Sequence, residues 1–350
     1  MMKNVRVGWV PSLQPDWDKL PDKEMLFLDD DFTRASAEEK AGFIQKANRV
    51  SYWQDAWRRL KSNRVAMVSI AFLIILFVFA FVGPMFYEGD YTTQVRGDEN
   101  LAPSMQYPFG TDKLGRDLML RTMYATRVSL VVGVFASMIV LVIGTLYGSI
   151  AGYFGGNVDN VMMRFLDLIY SIPDVLIIIL LWITISQPLK DWVNRNPSDF
   201  ARSISTIGPG LISIFIAFGL LYWVSMARII RGQILMLKEQ EYVTAVRALG
   251  GKSKRIITRH LYPNCIGQII VVTAMQIPSA IFLESFLSFL GIGVSPPMTS
   301  LGAMASDALG GIYSYPYRIT IPSIILSLMI LSLNLLGDGL RDALDPRLKK

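Results

Sequence analysis

Residues 65–87 read VAMVSIAFLIILFVFAFVGPMFY, twenty-three positions without Asp, Glu, Lys, Arg or His. A helix of about 20 apolar residues crosses the hydrocarbon core of a bilayer. Arg58, Arg59, Lys61 and Arg64 precede the run and Gly83-Pro84 lies near its end. Three more charge-free runs follow at 128–158, 203–227 and 261–283, of 31, 25 and 23 residues. The 350 residues are 52% hydrophobic and 18% charged, whereas soluble domains are roughly a quarter charged. This patterning excludes two soluble domains, and with them the disordered, collagen-like and disulfide-rich classes. The chain reads as an all-α polytopic membrane protein.

The expected spans are 65–86, 128–151, 161–185, 209–227, 263–283 and 319–336. The third is interrupted at Ser171-Ile172-Pro173-Asp174, which reads as a kink. Arg164 and Asp167 stand three apart, a spacing at which they can pair on one helix face. Gly144, Gly148 and Gly152 leave one face of the second span nearly bare, a surface for close helix packing. The polar segment 186–208 and the Gly/Pro/Ser-rich segment 291–318 read as loops.

Six spans place both termini on one side. The segments on that side carry 25 Lys and Arg and those on the other carry nine, so both termini are expected in the cytoplasm. The net charge of +6 is thereby attributed to cytoplasmic loops, and no nucleic-acid partner is expected. The expected organisation is a cytoplasmic arm with an amphipathic lead helix (1–64), the first span (65–86) and an extracytoplasmic loop (87–127). A five-helix core (128–340) and a cytoplasmic tail (341–350) follow. The Met1-Met2 start leads into polar sequence, so no cleavable signal is expected. The single cysteine, Cys265, sits in an apolar run and reads as a small buried hydrophobe.

Between the fourth and fifth spans, residues 237–263 read LKEQEYVTAVRALGGKSKRIITRHLYP. Tyr242, Val243, Ala245, Val246 and Leu249 recur at helical spacing. Gly250-Gly251 supplies a C-terminal cap and Ser253 a plausible start for a second helix, Lys254 to Tyr262, which Pro263 separates from the next span. Such a unit suits either a groove on a partner protein or an anionic lipid surface. Gly251-Lys252-Ser253 imitates the end of a phosphate-binding loop, but Val246 stands where that motif needs glycine and a helical run replaces the strand. Nucleotide binding is therefore not expected.

The same loop resembles the EAA loop of bacterial ABC importer permeases, E-A-A-x3-G-x9-I-x-L-P. Ala245, Gly250 and Pro263 match; Thr244, Val246, His260 and Tyr262 depart from it. The fuller string Glu241-Tyr242-Val243, Ala245, Arg247-Ala248-Leu249-Gly250, with His260 and Pro263-Asn264, is similar to the C-type permeases of oligopeptide and dipeptide importers. Further matching positions run along 51–347: the lead Trp57 to Leu60; Gly110, Thr111, Asp112, Gly115, Arg116 and Asp117; Ala151-Gly152-Tyr153, Gly155-Gly156 and Asp159; Glu284, Leu287 to Gly291 and Pro296-Pro297; Asn334 to Asp338; and Arg341-Asp342 to Arg347. Leu301 stands where that family usually has Trp.

The resemblance implies the type I ABC importer permease fold in a bacterial inner membrane. It implies a sister B-type permease, two ABC ATPase subunits, an extracytoplasmic binding protein and a peptide cargo. ATP and Mg would be held by the ATPase partners, with no cofactor on this chain. Glu241, Val243, Ala245, Leu249 and Gly250 are the expected ATPase-coupling unit, although Glu241 alone is equally readable as a solvated helix charge. Gly110, Thr111, Asp112, Arg116 and Asp117 are expected near the extracytoplasmic mouth, paired internally or contacting the binding protein. Asp174 and Glu284 are intramembrane charges and hence candidates for the substrate path; Asp174 could instead cap the resumed helix. Sister permeases for nickel and other small solutes share these motifs. A self-contained secondary carrier would commonly show inverted repeats, and none is evident between 65–185 and 209–337.

Overall fold

The computed structural model describes residues 51–196 and 198–345. The arm 1–50 and the Pro346-Arg347 end of the last motif lie outside the described residues. Among the described residues, six helices are long and apolar enough to cross a membrane: α2 (Arg64–Phe86), α3 (Leu118–Phe154), α5 (Asp174–Arg195), α7 (Pro209–Lys238), α9 (Ser253–Phe289) and α11 (Tyr317–Leu344). Shorter helices flank them: α1 (Tyr52–Ser62), α4 (Gly156–Tyr170), α6 (Asp199–Ile207), α8 (Glu241–Ala248) and α10 (Leu301–Ala308). Among the described residues the only ladder-like pairing is an isolated bridge between Thr111 and Asp117.

Caps set several of the helix starts. Asn63 opens α2 by accepting from the Ala66 N–H at 3.1 Å. Asp117 opens α3 by accepting from the Met119 and Leu120 N–H groups. α3 therefore begins ten residues earlier than the charge-free run, and the predicted loop 87–127 is shorter by that amount. α1 is amphipathic. It buries Ala56 and Leu60 against the ends of the bundle and exposes Trp53 and Trp57. The Tyr52 hydroxyl donates to the Leu344 carbonyl at 3.1 Å, so the start and finish of the bundle meet at one end.

The centre of the bundle is the contact of α3 with α7. Gly148 faces Ala227 so closely that a Cβ there would lie 2.3 Å from the Ala227 carbonyl oxygen; Gly144 and Gly152 abut Met226 and Arg231 in the same way. The glycine stripe thus brings two backbones together, as its spacing predicts. Around it, Val140, Leu166, Ile178, Ile214, Ile230 and Ile234 form a buried apolar cluster joining α3, α4, α5 and α7.

Four sequence expectations are corrected. The third span is not one kinked helix over 161–185 but two helices, α4 and α5, with the chain broken at 171–173. Arg164 and Asp167 do not pair; Asp167 accepts from Arg228 of α7 at 2.7 Å. The segments read as loops contain α6, opened by Ser198, and α10, opened by Ser300. Pro263 does not separate a second loop helix from the fifth span, because α9 runs unbroken from Ser253.

The physical reason for that continuity recurs along the chain. Widened π-type turns occupy Val78–Val82, Trp182–Ser186 and Ile257–Leu261, and each ends two residues before a proline: Pro84, Pro188 and Pro263. Proline has no N–H to continue the α ladder and crowds the preceding turn. A π turn changes the hydrogen-bond register there and lets the helix proceed. The fourth π turn, Phe218–Tyr222, has no such proline.

Candidate functional site

At the end where the bundle starts and finishes, α7 continues to Lys238, so the predicted loop 237–263 contracts to residues 239–252 around α8. Val243 points inward and is fully buried in the main apolar cluster, with Val246 half-buried beside it. Tyr242, Ala245 and Leu249 face outward, Leu249 with 88% of its surface exposed. Glu241 is exposed in the first turn of α8, where a carboxylate favours the helix dipole. The Gly250 N–H donates to the Arg247 carbonyl and the Gly251 N–H to the Val246 carbonyl, at 3.0 and 2.9 Å. This double closure is a Schellman cap, and it needs the positive φ of +79° that Gly250 adopts. Lys252, not Ser253, occupies the cap of α9.

The five predicted coupling residues are thus brought together, but on two faces. Val243 anchors the helix, while Ala245 and Leu249 present it. Sequence reading missed what braces this end. Arg231 pairs with Asp159, Arg228 with Asp167, and Lys238 Nζ donates to the Gly152 carbonyl at 3.0 Å. All three cations extend from α7 onto α3 or α4. They were counted as loop charges because the apolar run ends at Ala227.

At the opposite end the residues 110–117 fold around Asp112. Its Oδ1 accepts from the Leu114 and Arg116 N–H groups at 2.8 and 3.0 Å. Its Oδ2 accepts from Arg116 Nε at 2.7 Å and Arg121 Nη1 at 2.6 Å. Asp307 of α10 lies 3.5 Å from Arg121 and 3.7 Å from Arg116. Arg318 joins Asn100 to the Asp307 carbonyl. Thr111 Oγ1 accepts from the Leu101 N–H and donates to the Asp98 carbonyl. Gly110 packs against Leu101 and Tyr317. Asp117 caps α3 and accepts from the Tyr87 hydroxyl at 2.6 Å. Burial and the adjacent Asp117 push the Tyr87 phenol well above its ordinary range. The acidic and basic residues of this segment pair internally. Arg121 is one of the positions that match the family in residues 108–133, whereas Asp307, which lies beyond that stretch, was not singled out from sequence.

Asp174 and Glu284 lie in different surroundings. Glu284 is fully buried; its Oε1 accepts from Ser288 at 2.7 Å and its Oε2 from Ser129 at 3.0 Å and Ser285 at 3.3 Å. It ties α9 to α3 and lines neither groove described next. Asp174 is exposed where α4 breaks into α5. It lines an open groove of about 470 Å³ with Ser171, Tyr222, Ser225 and Gln276. A second groove of about 520 Å³ shares Asp174 and Tyr222 and continues to Ser279, Phe286 and Asn334. Asp174 does not cap α5 by reaching back into its first turn. Its Oδ1 accepts only from the adjacent Val175 N–H, and its Oδ2 accepts from the Tyr222 hydroxyl.

Comparison with known proteins gives these features a context. Residues 144–350 match the family described as binding-protein-dependent transport system inner membrane component. Residues 51–103 match the N-terminal TM domain of oligopeptide transport permease C. The chain is 41% identical over 334 residues to a dipeptide transport system permease protein of Bacillus subtilis (strain 168), covering 95% of this chain and 98% of that one. It is 40% identical over 316 residues to an oligopeptide transport system permease protein of the same organism, covering 90% and 96%. An oligopeptide transport system permease protein of Escherichia coli (strain K12) is 39% identical over 299 residues, 85% of this chain and 92% of that one. The six crossing helices fit the type I ABC permease fold, and the chain is a multi-pass inner membrane protein. It belongs to the binding-protein-dependent transport inner membrane components, among the C-type permeases of oligopeptide and dipeptide ABC importers.

Proposed function

We propose that this chain is the C-type half of the pathway in an ATP-driven peptide importer, paired with a sister B-type permease. The observation that carries the reading is α8: a short helix fixed to the bundle by buried Val243 and ending in an almost bare Leu249. An exposed leucine at a braced, Schellman-capped tip is a knob without a hole among the described residues. Fully burying a leucine is worth about 1.5–3 kcal/mol, enough to make the tip a docking element.

One of two ABC ATPases would receive that knob from the cytoplasm, which the excess of Lys and Arg at this end supports. Closure of the ATPase pair can shift the permease between inward- and outward-open states only through contacts that differ in the two. α8 connects α7 to α9, both of which border the groove at Asp174, so a push on Leu249 would be passed to the lining through these two helices. ATP and Mg would stay on the ATPases. An extracytoplasmic binding protein would deliver cargo to the end built around Asp112. Peptide cargo is supported by the names of the relatives, which are dipeptide and oligopeptide permeases.

The test is reconstitution of the complete importer in liposomes with its binding protein, measuring uptake of a labelled peptide. Uptake that requires ATP, and that Leu249→Asp reduces at least tenfold without altering membrane insertion, is the expected result. Uptake driven by an ion gradient without ATP would overturn the reading.

A further inference from the structure

The groove at Asp174 holds a carboxylate that, among the described residues, has no cationic partner. Tyr222 is the fourteenth of the thirty residues of α7 and Asp174 is the first residue of α5, so the pair joins the interior of one spanning helix to the start of another. The Tyr222 hydroxyl reaches Asp174 Oδ2 at 2.7 Å and the Val175 N–H reaches Oδ1 at 2.9 Å. Each oxygen thus receives one neutral donor and keeps acceptor capacity toward the groove. Among the described residues, Asp174 is the only charged one lining either half of it. An acidic residue within a membrane-spanning segment is a functional candidate by default.

Two backbone features converge on the same spot. The chain abandons helical structure at 171–173, just before Asp174, and discontinuous crossing helices are where transported charges are commonly held. Tyr222 closes the one π turn that no proline accounts for, and π turns recur at functional sites. The neighbouring groups Ser171, Ser225 and Gln276 on one side, and Ser279 and Asn334 on the other, supply neutral donors and acceptors. The site therefore lacks one positive charge and offers hydrogen bonds on both flanks.

We infer that this groove is a subsite for a primary ammonium, the free amino terminus of the transported peptide, held by Asp174 with Tyr222 orienting the carboxylate. The inference rests on the peptide-importer reading above. An ammonium has three donors and no acceptor, which matches a carboxylate already oriented by one hydroxyl and backed by neutral oxygens. Peptide amides beyond the terminus would meet Ser, Gln and Asn side chains on either flank. A divalent metal ion would need several hard or imidazole ligands, and the lining supplies one carboxylate.

The experiment uses the assembled importer purified with its partner subunits and without the binding protein. Ser171→Cys places a thiol in the groove, and its alkylation is timed with trialanine or N-acetyl-trialanine present at millimolar concentration. Free trialanine is expected to slow alkylation at least threefold and the acetylated peptide not at all. Asp174→Asn should abolish the protection, and Asp174→Glu should retain part of it. Equal protection by both peptides, or by neither, overturns the inference. So does loss of the second permease from the Asp174→Asn complex, which would make the carboxylate a contact between subunits. In the uptake assay, Asp174→Asn should lower the rate at saturating loaded binding protein at least tenfold. Wild-type uptake with an unaffected Asp174→Asn variant refutes only this inference; absence of ATP-dependent peptide uptake by the wild type refutes the importer reading and this one with it.

Discussion

Arg231 on α7 and Asp159 on α4, 72 residues apart in sequence, meet as a two-bond pair, with Nε and Nη2 each 2.5 Å from a carboxylate oxygen. The pair is unevenly buried: the arginine side chain is 33% exposed and the aspartate 8%. That asymmetry predicts an asymmetric mutational response. Arg231→Ala strands a nearly buried carboxylate, whereas Asp159→Ala strands a cation that can still reach water. Exposed pairs are worth under about 1 kcal/mol, and breaking a buried one costs about 3–5 kcal/mol. Arg231→Ala should therefore lower stability by about 2–3 kcal/mol and Asp159→Ala by about 1 kcal/mol. Thermal unfolding of the detergent-purified chain checks the order, and equal losses would contradict the burial argument.

The glycine stripe gives a second prediction with a built-in control. Gly148→Ala would press a methyl group into the Ala227 carbonyl, whereas a Cβ at Gly232, also on α7, meets nothing within 4 Å. Overpacking costs about 1–3 kcal/mol, and alanine in a helix interior gains about 0.5–1 kcal/mol over glycine. Gly148→Ala should destabilise the bundle and Gly232→Ala should leave it unchanged or slightly firmer, read as opposite shifts in melting temperature.

These two cases also mark how far the sequence could be read. Gly144, Gly148 and Gly152 are regularly spaced, so their packing face is visible from one segment alone. The pairs Arg231–Asp159 and Arg228–Asp167 depend on which helices become neighbours, and sequence spacing instead suggests the local pair Arg164–Asp167, which does not form. Charge-free runs mark where a span must be but not where its helix stops. α3 and α7 both extend beyond theirs, carrying Arg121, Arg127, Arg228, Arg231 and Lys238 on helix rather than loop. Pro263 illustrates the opposite error, because a proline read as a break is absorbed by the π turn before it. α6 and α10 were legible in principle, since Ser198 and Ser300 are ordinary N-caps. Their surroundings, rich in polar residues, Gly and Pro, masked them. The Asp174–Tyr222 contact joins residues 48 apart and leaves no periodic signal.

At the tip of α8, stability and function should separate. Leu249 touches little, so Leu249→Asp should change stability by less than about 0.5 kcal/mol while uncoupling the complex. Gly250→Ala should cost about 1 kcal/mol, because its positive φ is one that residues with a Cβ disfavour. Comparing ATPase rates and melting temperatures of the two assembled variants checks this. A large loss of stability in Leu249→Asp would mean that the tip packs within the chain.

At the opposite end, Asp112 neutralises two arginines at once. Arg121 is 6% exposed in its side chain, so Asp112→Asn leaves it buried with the more distant Asp307 as its remaining carboxylate and Thr299 as a neutral acceptor. A loss of about 3 kcal/mol is expected, within the range for a broken buried pair. The assembled importer should at the same time keep its affinity for the loaded binding protein, measured as the concentration giving half-maximal uptake. Unchanged stability with a raised half-maximal concentration would assign Asp112 to docking instead.

The central claim is that this chain works as one permease of a multi-subunit, ATP-driven importer. It is tested most directly by purifying the chain gently from its native membrane and identifying by mass what accompanies it at fixed stoichiometry. The account predicts two ABC ATPase subunits and a second six-helix permease for each copy of this chain. Recovery of the chain alone, or only with copies of itself, would contradict it.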